Sequence, residues 1–250
     1  MAYPLYLFFA FLPSFVWLLF FLRKDSHPES NPMIIRVFFL GMLIALPAAG
    51  LEILFFQLSE KLNLSITLAA ILNTFLGVAL IEETLKYFVV KGAVINNPEL
   101  DEPIDVVLYM IIAALGFAAL ENILILTPLA KGFFLARAFE ISVFRFLGAT
   151  FLHALASGVL GYFLALSFLE TKKRRGLLAL GFSLAILSHG LYNFSILNPT
   201  LTIKPLTAIM RTEGSFGLLI PLIVLLGLAV FLISRFKRLQ KLKSVCKIEI

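Results

Sequence analysis

The side chains best suited to chemistry in this sequence are ionisable or amide groups that lie inside long apolar stretches. An ionisable group inside a membrane span costs at least about 2.5–3.5 kcal/mol on insertion scales, so each is a candidate functional residue by default. Most of them lie between residues 66 and 195. The candidates are Glu52, Glu82, Glu83, Glu121, Asn122, His153, His189 and Asn193.

The densest group is the run Glu-Glu-Thr-Leu-Lys at 82–86. On a helix Glu82 and Lys86 are four residues apart and share a face, so they can form an ion pair. Glu83 points about 100° away from Glu82. We therefore expect Lys86 to pair with one carboxylate while the other faces a polar cavity. A structural alternative is a buried Glu–Lys pair that fixes the helix register, although two adjacent acids exceed what one lysine requires.

A second polar pair, Glu121 and Asn122, follows Phe117 in the next apolar stretch. Phe117 and Glu121 share a helix face, and Phe117 by itself is typical of core packing. A carboxylate and an amide among alanines and leucines need polar neighbours from the protein, because lipid cannot satisfy them.

Two histidines lie about midway along two later apolar stretches. Gly158 and Gly161 follow His153 and are small enough to permit close helix packing. His189 and Asn193 are four residues apart and share a helix face. One intramembrane histidine is usually a packing residue, whereas two at similar depth favour proton transfer or metal binding.

These residue types are suited to hydrolysis of a peptide bond, which needs a general base for water and a group that stabilises the oxyanion. Glu82 or Glu83 could be the base, and His189 with Asn193 could polarise the carbonyl or donate to the oxyanion. Lys86 and Asn122 are expected to support these groups. Glu52 and Arg145 have no motif around them and are interpreted as pairing or packing residues.

The composition indicates what kind of fold must position these residues. Only 14% of the 250 residues are charged, 60% are hydrophobic, and mean hydropathy is +1.00. A soluble domain carries about 25% charged residues, so a cytosolic enzyme is excluded. Disordered chains are polar, and a disulfide scaffold needs more than the single Cys246. We therefore predict an all-α polytopic membrane protein.

Seven stretches have the roughly 20 mostly apolar residues that a spanning helix needs. We predict one helical bundle over residues 1–235, with the candidate residues in a core of about 66–195, and a basic cytoplasmic tail over 236–250. The first stretch lacks a charged n-region and a small-residue cleavage site, so we expect it to be retained. The predicted spans are 3–22, 33–57, 66–90, 104–127, 141–168, 177–198 and 216–235.

Lysine and arginine predict the orientation, because cytoplasmic loops carry an excess of both. Thirteen lie on one side of the predicted membrane, five on the other and three in or beside spans, and 13 + 5 + 3 = 21. This distribution places the N-terminus outside and the C-terminus in the cytoplasm. The net charge of +6 then reflects topology and lipid headgroups, and no stacking aromatics indicate a nucleic-acid partner.

A metal ion is a further option for the same residues. His153, His189 and Glu121 are plausible ligands for Zn²⁺ with an open water position, but no His-Glu-x-x-His motif supports this. Along straight helices Glu82 lies about 12 Å and Glu121 about 25 Å from the predicted cytoplasmic ends of their spans. Glu121 therefore fits better as support for a ligand than as a ligand.

Four motifs occur in order in successive spans. They are Glu-Glu-x-x-Lys at 82–86, Phe-x-x-x-Glu-Asn at 117–122, a histidine at 153 and His-x-x-x-Asn at 189–193. This series resembles the PrsW family of intramembrane proteases, within the superfamily of CAAX prenyl proteases and bacteriocin-processing enzymes. Each motif alone is weak, whereas four in order are fairly specific, although spans one, two and seven carry no signature.

The resemblance implies a protease of the bacterial cell membrane that makes the first cut in a membrane-anchored anti-sigma factor and so releases a stress-response sigma factor. It implies a catalytic role for Glu82, Glu83 and His153. The residues for which it implies a supporting or ligand role are Glu121, His189 and Asn193. The family is often grouped with metalloproteases, while relatives suggest a metal-free glutamate mechanism.

Two other functions fit the same residues. A non-catalytic membrane scaffold would use the polar groups for assembly, as in the anterior-pharynx-defective subunit of gamma-secretase, which is thought to belong to the same superfamily. A proton-coupled transporter would use them as a relay, but it would need broken helices near mid-membrane. Lost cleavage with intact folding in Glu83→Gln or His189→Ala would favour the protease over the scaffold.

Overall fold

The computed structural model describes residues 3–24, 28–132, 134–196 and 216–239, which form helices joined by short connections. The α-helices are α1 (Tyr3–Leu22), α2 (Asn31–Glu60), α3 (Ile66–Leu72), α4 (Ile81–Ala93), α5 (Pro103–Leu126), α6 (Leu135–Leu147), α7 (Ala149–Leu169), α8 (Arg174–Ile196) and α9 (Phe216–Leu239). A π-helical segment, Asn73–Leu80, joins α3 to α4, and short 3-10 helices follow α5 and α7. These ranges contain no strand, which confirms the predicted all-α class.

Seven helical segments within the described ranges are long and apolar enough to cross a membrane, as predicted. They are Tyr3–Leu22, Asn31–Glu60, Ile66–Ala93, Pro103–Gly132, Leu135–Leu169, Thr171–Ile196 and Leu219–Leu239. The division of the chain at residue 235 stays a prediction. Most of the basic tail, with Cys246, lies outside the described residues, as do His27, Lys204 and Arg211.

Two of the spans begin at residues that suit a helix N-terminus. Ser30 precedes α2, and its side chain accepts a hydrogen bond from the backbone N–H of Met33. At the start of α5, Glu102 and Asp105 form a reciprocal capping box. These caps satisfy amide groups that have no partner within the helix. Residues next to the first turn therefore fix where α2 and α5 begin.

Helix α5 lies at the centre of the bundle, where almost all of its residues are buried. It packs against α7, α2 and α1. Glycines allow close approach: a Cβ at Gly41 of α2 would collide with the backbone of Ala113, and one at Gly161 of α7 would lie 2.9 Å from Cα of Val107. The predicted close packing at Gly161 is confirmed. Polar groups that α5 and α7 direct at each other must therefore find partners in the protein.

Two of the predicted spans are not continuous α-helices. The third contains the π-helical segment Asn73–Leu80, which ends immediately before the helix that carries Glu82 and Glu83. Such segments are frequent at functional sites. The fifth, predicted over 141–168, consists of two helices, because α6 ends at Leu147 and α7 begins at Ala149. With 21 residues, α7 alone is long enough to cross a membrane.

Candidate functional site

Both carboxylates of α4 are bound to one lysine. Nζ of Lys86 lies 3.0 Å from Oε2 of Glu82 and 2.8 Å from Oε1 of Glu83. The expectation that Lys86 would pair with only one of them is wrong, because the long lysine side chain reaches between the positions three and four residues before it. All three side chains are buried, and the most exposed, Glu82, is 5% exposed. Each member of this group therefore depends on the others for charge compensation.

His153 of α7 and His189 of α8 face the acids and lysine of α4. Nδ1 of His153 lies 2.8 Å from Nζ of Lys86 and 3.5 Å from Oε2 of Glu82. Nδ1 of His189 lies 2.9 Å from Oε1 of Glu83, and its Nε2 lies 3.9 Å from Oε2 of Glu82. The two imidazole rings are nearly perpendicular, with centres 5.0 Å apart. Three helices thus bring together the four residues that were predicted to be catalytic.

The two carboxylates differ in how fully they are hydrogen-bonded. Glu83 accepts from Lys86, from His189 and, at 2.6 Å, from the hydroxyl of Ser157. Glu82 is bound through Oε2, and no hydrogen bond to its Oε1 occurs among the described residues. Three donors hold Glu83 in one orientation, whereas Glu82 keeps an oxygen for a further donor.

Ser157 is a residue of the site that sequence reasoning missed. It is fully buried in α7, one turn after His153. A helical serine commonly bonds a carbonyl of its own helix, as Ser167 does with Leu164. Ser157 instead donates to Glu83 of another helix. The sequence feature that could have identified Ser157 is its spacing of four residues from His153, which places both side chains on one helix face.

Phe117 of α5 lies against Lys86. The ammonium nitrogen is 4.5 Å from the centre of the ring, and the ring centre is 5.8 Å from that of His153. A desolvated cation over an aromatic face is stabilised by about 2 kcal/mol. Phe117 is therefore more than the core-packing residue that its type predicts, because it also holds the lysine in place.

Glu121 and Asn122 have the polar neighbours that their apolar surroundings require. Oε2 of Glu121 lies 2.9 Å from Nε2 of His153, on the opposite side of the ring from Lys86. Asn122 is buried and donates to the carbonyl of Ala10 at 3.1 Å and to the hydroxyl of Thr150 at 3.3 Å. The sequence predicts that Glu82 and Glu121 lie at different depths in the membrane. The His153 ring lies between them, with Nδ1 facing Glu82 and Nε2 facing Glu121.

Arg145, near the end of α6, binds both Glu121 and Asn122. Its Nη2 lies 2.8 Å from Oε2 of Glu121, and its Nε donates to Oδ1 of Asn122. The interpretation of Arg145 as a pairing residue is confirmed. Sequence reasoning missed that its partner, Glu121, also contacts Nε2 of His153.

Asn193 and Glu52 lie at the margin of the site. Asn193 is half-buried one turn after His189, and within the described part of the chain it makes no hydrogen bond to either glutamate of α4. His189 is held by Glu83 instead. Glu52 of α2 is also half-buried, and it is close enough to Glu82 and Glu121 for their charges to interact.

The carboxylates and imidazoles of the site are ligand types found in zinc centres. The Lys86 ammonium, however, lies where these side chains converge. One ligand atom from each of four residues lies within 4.8 Å of the others, and the four are Glu82, Glu83, His153 and His189. Glu121, which contacts the other nitrogen of His153, is not in this group. Nζ of Lys86 lies within 3.0 Å of atoms of three members. As arranged, the residues do not fit a metal ion unless Lys86 moves away.

The chain is similar to one protein family over most of its length. The profile described as PrsW family intramembrane metalloprotease matches residues 29–230. A relative named Protease PrsW from Geobacillus kaustophilus is 34% identical over 74% of this chain and 76% of its own. Relatives of the same name from Oceanobacillus iheyensis and Bacillus subtilis are each 32% identical over 73% of this chain and 78% of their own. No solved structure matches the chain significantly.

Proposed function

Because the chain belongs to the PrsW family of intramembrane metalloproteases, we propose that it hydrolyses a membrane-anchored protein with a water molecule activated by Glu82. The chain is a multi-span membrane peptidase. The observation that carries the proposed mechanism is the position of Glu82. Among the described residues it accepts fewer hydrogen bonds than Glu83, and its Oε2 lies 3.9 Å from Nε2 of His189.

We place the attacking water between Glu82 and His189. A water about 2.8 Å from each atom can bridge the 3.9 Å between Oε2 of Glu82 and Nε2 of His189. Oε1 of Glu82 has no partner among the described residues, so this carboxylate can accept the proton of the water. Because the group is buried, charges that develop during the reaction are screened less than they would be in bulk water.

In the proposed reaction Glu82 takes a proton from water while the water oxygen attacks the scissile carbonyl carbon. The carbonyl π electrons move onto oxygen, and the resulting oxyanion accepts a hydrogen bond from Nε2–H of His189. Glu82 then gives its proton to the leaving amide nitrogen as the C–N bond breaks. The products are a carboxylic acid and an amine, and Glu82 ends as it began.

Formal charge supports a protonated His189 in this role. Glu82, Glu83 and Lys86 together carry −1 − 1 + 1 = −1. One additional positive charge makes the buried group neutral, and burial disfavours uncompensated charge. His189 donates from Nδ1 to Glu83 at 2.9 Å, so it is positioned to carry that charge.

The remaining members of the cluster hold the reacting groups in position. Glu83 orients His189 as a buried carboxylate orients the histidine of a hydrolase triad. Lys86 binds both acids, and His153 accepts from Lys86 through Nδ1. We assign no reaction step to a metal ion, because the Lys86 ammonium lies among the atoms that would bind it.

The proposed substrate is an anti-sigma factor with one membrane span, cut first by this protein so that a sigma factor is later released. The four ordered motifs, through their resemblance to the family, support this substrate class. A buried cluster carried by spanning helices also suits a substrate that arrives within the bilayer. The thirteen-to-five distribution of lysine and arginine supports a C-terminus in the cytoplasm of a bacterial cell.

Cleavage of reconstituted substrates tests this assignment. We expect the purified protein in liposomes to cut an anti-sigma factor with its span intact, and to leave a single-span protein of unrelated sequence uncut. Mass spectrometry of the products locates the cut, expected within or beside the span. If the unrelated protein is cut and anti-sigma factors are not, the substrate class is wrong while the peptidase activity stands.

We expect cleavage to survive removal of divalent metal ions. A metal ion bound to the atoms that Lys86 contacts would be repelled by the ammonium, by about 4 kcal/mol per unit charge at 4 Å and an effective dielectric of 20. The measurement is the cleavage rate after treatment with EDTA and 1,10-phenanthroline, with the metal content determined on the same sample. Activity that disappears on chelation and returns with Zn²⁺ would contradict this prediction.

A further inference from the structure

Arg145 is connected to the candidate active site through a single carboxylate. Its Nη2 and Nε2 of His153 both contact Oε2 of Glu121, at 2.8 and 2.9 Å. The guanidinium also donates through Nε to Asn122. The planar guanidinium thus contacts two consecutive residues of α5, which fixes its orientation.

The position of Arg145 depends on the break between α6 and α7, which contacts from other helices stabilise. Nε1 of Trp17 donates to the carbonyl of Phe146 at 2.8 Å, one of the carbonyls near the end of α6 that have no helical partner. The Trp17 ring stacks on Phe151, with centres 4.1 Å apart, and so spans the break. At the break itself, a Cβ on Gly148 would collide with the hydroxyl of Tyr192. Contacts from α1 and α8 therefore hold the end of α6 where its arginine reaches α5.

The contacts of His153 define which of its nitrogens carries the proton. The Lys86 ammonium is only a donor, so Nδ1 of His153, 2.8 Å away, must accept. The proton of the neutral ring is then on Nε2 and is donated to Glu121. The Glu121 carboxylate favours the same tautomer, because it accepts the proton on Nε2 only while it is turned toward His153. The Glu121 side chain is 32% exposed, so it could turn toward other partners if nothing restrained it.

We propose that Arg145 is a positioning residue for the reaction: it holds the Glu121 carboxylate against Nε2 of His153 and thereby keeps Nδ1 as the acceptor for Lys86. This role rests on the proposed function, since it matters for catalysis only if the α4 acids act as described. Arg145 does not contact Glu82 or Glu83 itself, and it acts on them through Glu121, His153 and Lys86. Lys86, fixed by His153 on one side and Phe117 on another, then keeps both acids in place.

Substitution of Arg145 separates this role from general stabilisation. We expect Arg145→Met to lower kcat by about 10–100-fold, the size of effect that follows when the partner orienting a metal-ligand histidine is removed, with little change in KM. Arg145→Lys should recover part of the rate, because it keeps the charge but cannot bond Glu121 and Asn122 in one plane. The matched control is Arg137→Met on the same helix, where Arg137 pairs with Glu140 at 2.9 Å on the surface. The control should retain the wild-type rate.

The ring nitrogens of His153 give a readout that does not depend on cleavage. In ¹⁵N-labelled protein we expect the His153 signals, assigned by their loss in His153→Gln, to show protonation at Nε2 in the wild type. Arg145→Met should give a mixture of tautomers.

An unchanged tautomer and an unchanged kcat would overturn the role of Arg145 even if the wild type cleaves its substrate. If Arg145→Met fails to fold, the same two measurements on Arg145→Lys decide the question. A wild type that shows the Nε2 tautomer but cleaves nothing would count against the proposed function alone.

Discussion

Glu82→Gln is expected to lower the rate of substrate cleavage by about 10²–10⁴-fold, the usual contribution of a general base. Glutamine keeps the size of the side chain and can still accept from Lys86 through its carbonyl oxygen. It cannot take a proton from water. The protein should therefore still fold, and its thermal unfolding temperature in detergent should change little. The measurement is the initial cleavage rate of the reconstituted substrate beside the unfolding temperature of the same preparation.

Glu83→Gln should behave differently, because Glu83 accepts from three buried donors. Its amide leaves His189 and Ser157 without a charged acceptor and leaves Lys86 with Glu82 alone, so stability should fall together with activity. Glu60→Gln is a suitable control, since Glu60 lies exposed at the end of α2. If Glu82→Gln cleaves at the wild-type rate while folded Glu83→Gln does not, the two glutamates exchange roles.

Lys86→Met is expected to produce the largest loss of stability, about 3–5 kcal/mol, the usual effect of removing one partner from a buried ion pair. Methionine preserves much of the side-chain volume but leaves two adjacent buried carboxylates without their shared cation. It also removes the donor to Nδ1 of His153 and the cation beside Phe117. Cleavage should be lost with stability. Denaturant unfolding in mixed micelles measures the first effect and the liposome assay the second.

Lys91→Met provides the matched control for this substitution. Lys91 lies on the same helix and is exposed, and its ammonium nitrogen is 5.9 Å from the centre of the Tyr87 ring. Its replacement should change the free energy of unfolding by a few tenths of a kcal/mol, as is usual for surface positions. Equal losses for Lys86→Met and Lys91→Met would mean that Lys86 does not compensate the buried acids.

The composition of the site could be predicted because its residues are energetically improbable where they occur. Acids, amides and histidines inside apolar stretches stand out against their surroundings, and they identified Glu82, Glu83, His153 and His189 as one set. Lys86 lies four residues after Glu82 and three after Glu83, and both spacings allow an ion pair on a helix, so the expectation of a single pair was too narrow. The azimuth of a Cβ on its helix does not describe a side chain with four rotatable bonds. Ser157 was missed for a related reason: a serine in a helix can satisfy itself locally, so its type carries little information.

The number of spans followed from hydropathy, but their interruptions did not. The π-helical segment Asn73–Leu80 and the break at Gly148 both lie within stretches that hydropathy reads as single spans, and no proline marks either of them. Each is stabilised by contacts with other helices: Phe75 packs against Gly190 of α8, and Trp17 of α1 spans the break. Such contacts are visible only when the helices are assembled.

The partners of the polar pair on α5 also constrain how the bundle can be synthesised. Arg145 and His153 follow Glu121 by 24 and 32 residues, so α5 is complete before either of these partners of Glu121 exists. At about 5–20 residues per second, the ribosome needs about 2–6 s to supply them. During that interval release of α5 alone into lipid would expose an uncompensated carboxylate, at about 2.5–3.5 kcal/mol. Helices α5, α6 and α7 are thus suited to leave the translocon together, as one insertion unit.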